Sequence, residues 1–162
     1  MTSAALPSAT KEAMPRIEYR QFKLVDDGAL LEVPESWPQA GEIVVAAGRG
    51  VLFTTGGNDF YPKVRVEVWP TEPGIREETA WEVVQEVDFL SETGTVELRE
   101  WDGPTDAAMR VGAVGPVRLR AHCKGRAEAA ALVGQELYYE GVEEWLLQIW
   151  PLHTSNSRPE AS

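Results

Sequence analysis

The sequence predicts an all-β fold: an antiparallel, jelly-roll-like β-sandwich of about eight strands, with short helical turns in the connections. Three observations carry this expectation. Short stretches alternate apolar and polar residues, most cleanly from Val64 to Trp69, where Val64, Val66 and Val68 share one side. Turn chemistry interrupts them at short intervals, at Asp26-Asp27-Gly28, Gly48-Arg49-Gly50, Gly56-Gly57-Asn58-Asp59 and Ser91 to Gly94. No long amphipathic helix is encoded, which is the pattern of a sandwich or small barrel.

In chain order, Ile17 to Leu24 reads as the first strand, with a short continuation from Leu30 to Val33 and a loop in which Trp37 is tucked in as an anchor. Glu42 to Gly48 and Val51 to Thr55 form a hairpin across Gly48-Arg49-Gly50. The Gly-Gly-Asn-Asp turn is too short and unpatterned for a phosphate loop; its glycines supply positive φ without a Cβ penalty. Trp81 to Phe89 puts Trp81, Val83, Val87 and Phe89 on one face and Glu82, Glu86 and Asp88 on the other. With Thr95 to Trp101 it reads as a hairpin with an acidic outer face. Asp102 to Asp106 reads as loop, Ala107 to Val111 as one helical turn, and Arg126 to Val133 as about two turns of helix. Val117 to Lys124 alternates again, with Val117, Leu119, Ala121 and Cys123 opposite Arg118, Arg120, His122 and Lys124. The apolar block Trp145 to Pro151 reads as a deeply buried strand closed by proline.

A chain of 162 residues is one domain's worth; at about 150 residues folding buries roughly 70% of the unfolded surface, enough for a core without metal or disulfide support. Residues 16–152 are assigned to a single sandwich, with disordered tails at 1–15 and 153–162 on their Ala, Ser, Thr and Pro content. The single cysteine, Cys123, lies on an apolar face and is expected to be a buried, inert thiol. The first ten residues hold neither the basic cluster nor the apolar stretch of a secretory signal, and no apolar run approaches the ~20 residues that span a bilayer. The expectation is a cytoplasmic protein. A net charge of −11 argues against nucleic acid or an anionic membrane as a direct partner.

Catalytic chemistry is hard to assemble from these residues. There are two histidines, His122 and His153; His122 and Cys123 point to opposite faces of a strand and cannot share a metal. Nothing marks either histidine as the base of a nucleophilic triad. The expectation is no enzyme, no metal and no cofactor. Six tryptophans raise an alternative, a small-ligand or carbohydrate-binding sandwich. Trp69 and Trp101, at strand ends beside loops, are its candidate stacking residues.

Charge has a clearer spatial pattern. Between Glu72 and Asp106 eleven acids face only Arg76 and Arg99, whereas from Ala107 to Gln135 five bases face only Glu128. The basic strand face is expected to pair with acids across the sheet. The excess on the Trp81–Trp101 hairpin is expected to stay locally unneutralised. Clustered carboxylates within about a Debye length, ~8 Å at physiological salt, attract basic partners and compete for surfaces built for phosphates. Glu77, Glu78, Glu82, Glu86 and Asp88 are therefore the candidate partner-binding residues, and the expected partner is a basic protein such as a nuclease or toxin.

The run Val117-Arg-Leu-Arg-Ala-His-Cys-Lys-Gly-Arg126, an Ala-rich linker, and Glu143-Glu-Trp-Leu-Leu-Gln-Ile-Trp-Pro151 resemble the end of small bacterial β-sandwich proteins of the competence-protein-J family. The known member of that family inhibits a DNA-entry nuclease. The resemblance covers the C-terminal third together with overall size and strand rhythm. It implies a jelly-roll-like sandwich and an acidic, non-enzymatic inhibitor or immunity-type protein, and it carries over no site residue.

Overall fold

The computed structural model of the chain describes residues 6–31, 34, 36–74, 81–100 and 103–152. Among the described residues ten strands and one short helix follow one another: β1 (Ala9–Ala13), β2 (Gln21–Asp26), β3 (Val44–Ala46), β4 (Gly50–Thr54), β5 (Tyr61–Val68), β6 (Val83–Ser91), β7 (Thr95–Glu100), β8 (Gly103–Arg110), β9 (Gly115–Lys124), α1 (Arg126–Ala131) and β10 (Glu140–Pro151). They form two five-stranded sheets, ordered β1-β5-β10-β9-β6 and β3-β4-β2-β7-β8. Every pairing is antiparallel except that of β10 with β5. The predicted all-β sandwich is the observed fold.

The core lies between the sheets, where the alternating positions point. Val64, Val66 and Val68 of β5, Val117, Leu119, Ala121 and Cys123 of β9, and Trp145, Leu147 and Ile149 of β10 face Phe22, Leu24, Phe53, Val96 and Leu98 from the second sheet. At its centre Phe22 stacks on Phe53 at 4.5 Å, and Trp145 meets both edge-on at 5.1 and 5.5 Å. In the two Trp145 contacts ring edges meet ring faces with matched quadrupoles. One side of the sandwich is closed by a side chain acting as a ladder rung. Gln85 of β6 accepts from the Ile43 and Val44 amides and donates to the Val44 carbonyl, joining the β6 edge to β3.

Four local expectations are corrected. Ala9–Ala13 is not a disordered tail but an edge strand on β5; its composition hid it, because only its ends are half-buried and Lys11 and Glu12 face solvent as edge charges do. Ala107 to Arg110 is strand rather than helical turn: Ala107, Met109 and Val111 alternate into the core, and sheet context overrides the helix propensity of Ala and Met. The stretch from Trp81 to Glu100 is not a hairpin. β6 pairs with β9 and β7 with β2 and β8, so the turn after Ser91 carries the chain from one sheet to the other. Trp37, expected to be tucked in, is 52% exposed.

The crossing turn is held by a buried carboxylate. Asp26, at the end of β2, accepts from Ser91 Oγ, the Glu92 amide, Thr93 Oγ1 and Arg49 Nε and Nη2, at 2.5–2.9 Å. Burial opposes ionisation of this group, but the donors outweigh it and hold the carboxyl well below the usual aspartate range.

Candidate partner-binding surface

Of the predicted acids, Glu77 and Glu78 lie outside the described residues, as does Trp101. The β6–β9 register sets Glu86 opposite Arg120 and Asp88 opposite Arg118. Arg120 Nε donates to Glu86 at 2.9 Å, and Arg118 grips Asp88 with two bonds of 2.7 and 3.0 Å. Glu82 accepts from the Gly125 amide at 3.1 Å. The basic face of β9 thus pairs across the sheet as expected. The charge of Glu86 and Asp88, expected to stay unneutralised, is answered by the same two arginines. The expectation failed because acids and bases distant in sequence are neighbours in the sheet. Trp69 is also corrected: it is 8% exposed, its indole N–H donates to Glu67 at 3.0 Å, and it presents no face for a sugar.

The described ends of the connection from β5 to β6, at Glu72-Pro73 and at Trp81, cover part of the outer face of the first sheet. Glu72 and the Pro73 carbonyl accept from Arg120, and Trp81 packs on His122 and under the Lys124 ammonium. Trp81 therefore faces outward, not into the core with Val87 and Phe89. Beneath this crossing Arg120 lies over the Trp150 ring at 5.0 Å, and His122 Nδ1 donates to the Leu146 carbonyl. Beside it a cavity of about 170 Å³ is lined by Trp81, Leu146, Lys63, Arg65, Glu12 and Glu144.

The most distinctive region is one end of the sandwich, where three loops meet: 17–20 ahead of β2, 55–60 between β4 and β5, and 132–139 between α1 and β10. All non-glycine residues with positive φ among the described residues lie here: Tyr19 (58°), Arg20 (57°), Asp59 (52°) and Tyr138 (60°). The left-handed region costs an ordinary L-residue about 1–2 kcal/mol, so it persists only where surroundings over-determine the backbone. They do so here. The Asp59 amide donates to the Ile17 carbonyl, the Ile17 amide to Phe60, the Thr55 amide to Arg20 and the Tyr138 amide to Asp59, at 2.7–3.0 Å. The Arg20 amide donates to Asn58 Oδ1 at 2.9 Å.

Below the loops, Ile17 and Phe60 are fully buried, Phe60 stacks on Tyr139, and the Tyr139 hydroxyl donates to the Ala129 carbonyl. The Gly56 and Gly57 amides, read from the sequence as a plain turn, bind an anion after all: the chain's own Glu143 carboxylate, which also accepts from Trp145 Nε1. Burial pushes the Glu143 carboxyl up, against the pull of Arg126 and these donors. A Cβ at Gly56 would lie 2.5 Å from the Arg126 carbonyl oxygen, so only glycine brings those amides close enough. Cys123, beside Glu143, is fully buried and its thiol is pushed up by burial, as expected of an inert cysteine.

Above the loops, the side chains are exposed and large. Tyr19 and Leu137 are each 66% exposed and Tyr138 49%. Arg16 lies over the Tyr138 ring at 5.5 Å and bridges to Glu18 at 2.7 Å. Sequence reading missed this cluster. Tyr19 was read as part of a strand from Ile17 to Leu24, which begins only at Gln21, Tyr138 lies in an unpatterned connection, and nothing local tells that their loops touch.

Solved structures with a similar fold include ComJ from Bacillus subtilis, inhibitor of the DNA degrading activity of NucA. It superposes with a TM-score of 0.62 at 14% identity, over 93% of this chain and 100% of its own. The sandwich is similar to that of ComJ. The crocagin biosynthetic gene J product shares the ComJ-like fold, with a TM-score of 0.59 at 17% identity over 90% of this chain and 98% of its own. No protein-family model and no curated protein matches the sequence. The resemblance read from β9 and β10 thus holds for the fold along nearly the whole chain.

Proposed function

We propose that the chain is a non-enzymatic, cytoplasmic protein-binding domain of the inhibitor type, whose partner is a basic nuclease or a nuclease toxin. The observation that carries this reading is the likeness to ComJ, which extends over 93% of this chain and 100% of that one. The net charge of −11 supports it: a nuclease must present Lys and Arg to DNA phosphates, and an acidic protein is drawn to the same groove. Inhibition would then be occlusion, one sandwich covering one DNA-binding surface. Glu86 and Asp88 are paired with arginines of their own chain and Glu82 with a backbone amide, so the attraction in this reading comes from the net charge of the chain rather than from contacts by these three.

The test is titration of the purified chain into DNA-degradation assays with NucA and a panel of basic nucleases at rising salt. Inhibition that saturates at one chain per nuclease and weakens with salt is expected, because exposed charges are screened beyond about 8 Å at physiological ionic strength. Failure to slow any of these enzymes in large molar excess would sink the proposal.

A further inference from the structure

We infer that the loop end of the sandwich, where 17–20, 56–60 and 136–140 meet, is the surface that docks the partner, with Tyr19, Leu137 and Tyr138 as anchors. This rests on the inhibitor reading above and names its interface. The first argument is the placement of strain. Positive φ occurs at fourteen described residues; ten are glycine, scattered over the fold, and the four that are not all fall in these three touching loops. A turn that serves only to reverse the chain is made more cheaply with glycine, and this chain does so elsewhere. Here it spends backbone strain to present Tyr19, Arg20, Asp59 and Tyr138.

The second argument is the kind of side chain presented. Tyr19, Leu137 and Tyr138 are large and largely apolar, the first two each 66% exposed and Tyr138 49%, on one end of the molecule. Tyrosine and arginine are the residues that dominate protein interfaces, because a rigid ring buries much area for little lost rotamer freedom. The loops beneath are fixed by backbone hydrogen bonds and by the buried Phe60–Tyr139 stack, so the surface is already in shape before binding.

The third argument decides the partner's charge. In these loops and at their ends the chain carries Asp59, Glu136 and Glu140 against Arg20, while Arg16 and Glu18 bridge to each other and Arg16 lies over the Tyr138 ring. An apolar centre inside an acidic rim fits a folded protein that presents a basic surface with an apolar recess. The alternative apolar positions on β6, Val84 and Leu90, flank carboxylates that are already paired with arginines, so that face offers less charge to a cation.

The experiment compares wild type with Tyr138→Gly, Leu137→Ser and, as a control on the exposed β6 face, Val84→Ser, using NucA and the nuclease panel. Urea midpoints for every variant separate loss of docking from loss of fold. Tyr138→Gly and Leu137→Ser are expected to weaken inhibition about 30-fold or more each, the mark of an anchor residue, with Val84→Ser within about threefold of wild type. Amide NMR shifts on adding the responsive nuclease are expected in 17–20, 58–61 and 136–140. If wild type inhibits but both loop variants inhibit equally well, or the shifts map to β6 and β9, the docking surface is overturned while the inhibitor reading stands. If wild type inhibits none of the enzymes, the inhibitor reading fails and takes the surface with it.

Discussion

Replacing Asp26 tests whether the passage between the two sheets depends on one buried carboxylate. Its donors come from three segments: Arg49 in the β3–β4 turn, Ser91 at the end of β6, and Glu92 and Thr93 in the crossing turn. In Asp26→Asn one oxygen still accepts from Arg49 and the Glu92 amide, while the Ser91 and Thr93 hydroxyls can rotate to accept from the new amide. What is lost is chiefly charge assistance. Hydrogen bonds to a charged group contribute about 1.5–3 kcal/mol each against about 1 for neutral ones. Arg49 is about a third exposed, which discounts its ion pair. The expected loss is therefore about 2 kcal/mol for Asn and about 4 kcal/mol for Ala, which strands every donor; both are large against a total stability of about 5–15 kcal/mol. The sign with pH follows from the depressed carboxyl. Its contribution is complete above the unfolded value near 3.9 and is lost as pH falls, at about 1.4 kcal/mol per unit. Urea unfolding followed by tryptophan fluorescence at pH 7 and pH 3 should show the wild-type advantage over Asp26→Asn shrink by about 1 kcal/mol. An Asn variant as stable as wild type at pH 7, or a gap that does not narrow at pH 3, would refute the assignment.

Other outcomes are expected from the same structure. Gly57→Ala should cost about 1–3 kcal/mol in urea unfolding, because its Cβ would sit 2.7 Å from the Tyr139 hydroxyl and 2.9 Å from the Ala129 Cβ. Arg20→Gly, at an exposed position with φ of 57°, should leave stability unchanged or raise it by up to about 1 kcal/mol, as relief of the left-handed strain outweighs the entropy glycine adds to the unfolded chain; a clear loss would show that the strain argument is wrong. Cys123 should ignore a thiol reagent at pH 8 in the native protein and react at once in denaturant.

The strands that alternate were legible residue by residue: Val64, Val66 and Val68, and Val117 to Cys123, point where their pattern says. The hairpin at Gly48-Arg49-Gly50 was legible too, because turn chemistry acts locally. What the pattern could not show is partnership. The reading of Trp81–Glu100 as a hairpin followed the common rule that neighbours in sequence pair in space, and Asp26, 65 residues before Ser91, is what redirects the chain. The acids of β6 were correctly seen as a stripe, yet their neutralisation depends on a register with β9 that no window of sequence contains. The loop end was illegible for the same reason, since strain at Tyr19 or Tyr138 is a property of where the backbone is held.

The parallel pairing of β10 with β5 has a consequence for how the molecule comes into being. In the first sheet β10 lies in the middle, with β1 and β5 on one side and β6 and β9 on the other, so it is the only strand joining two half-sheets made earlier. During synthesis all four of the other strands of this sheet are made before residues 140–151, and the two halves cannot be joined through β10 until that strand is present. The edges of the halves pair by long-range contacts, which form slowly and leave strands exposed to wrong partners meanwhile. Completion of the sheet is thus a single late event, and a separately supplied strand of residues 140–151 would have a ready-made slot to enter.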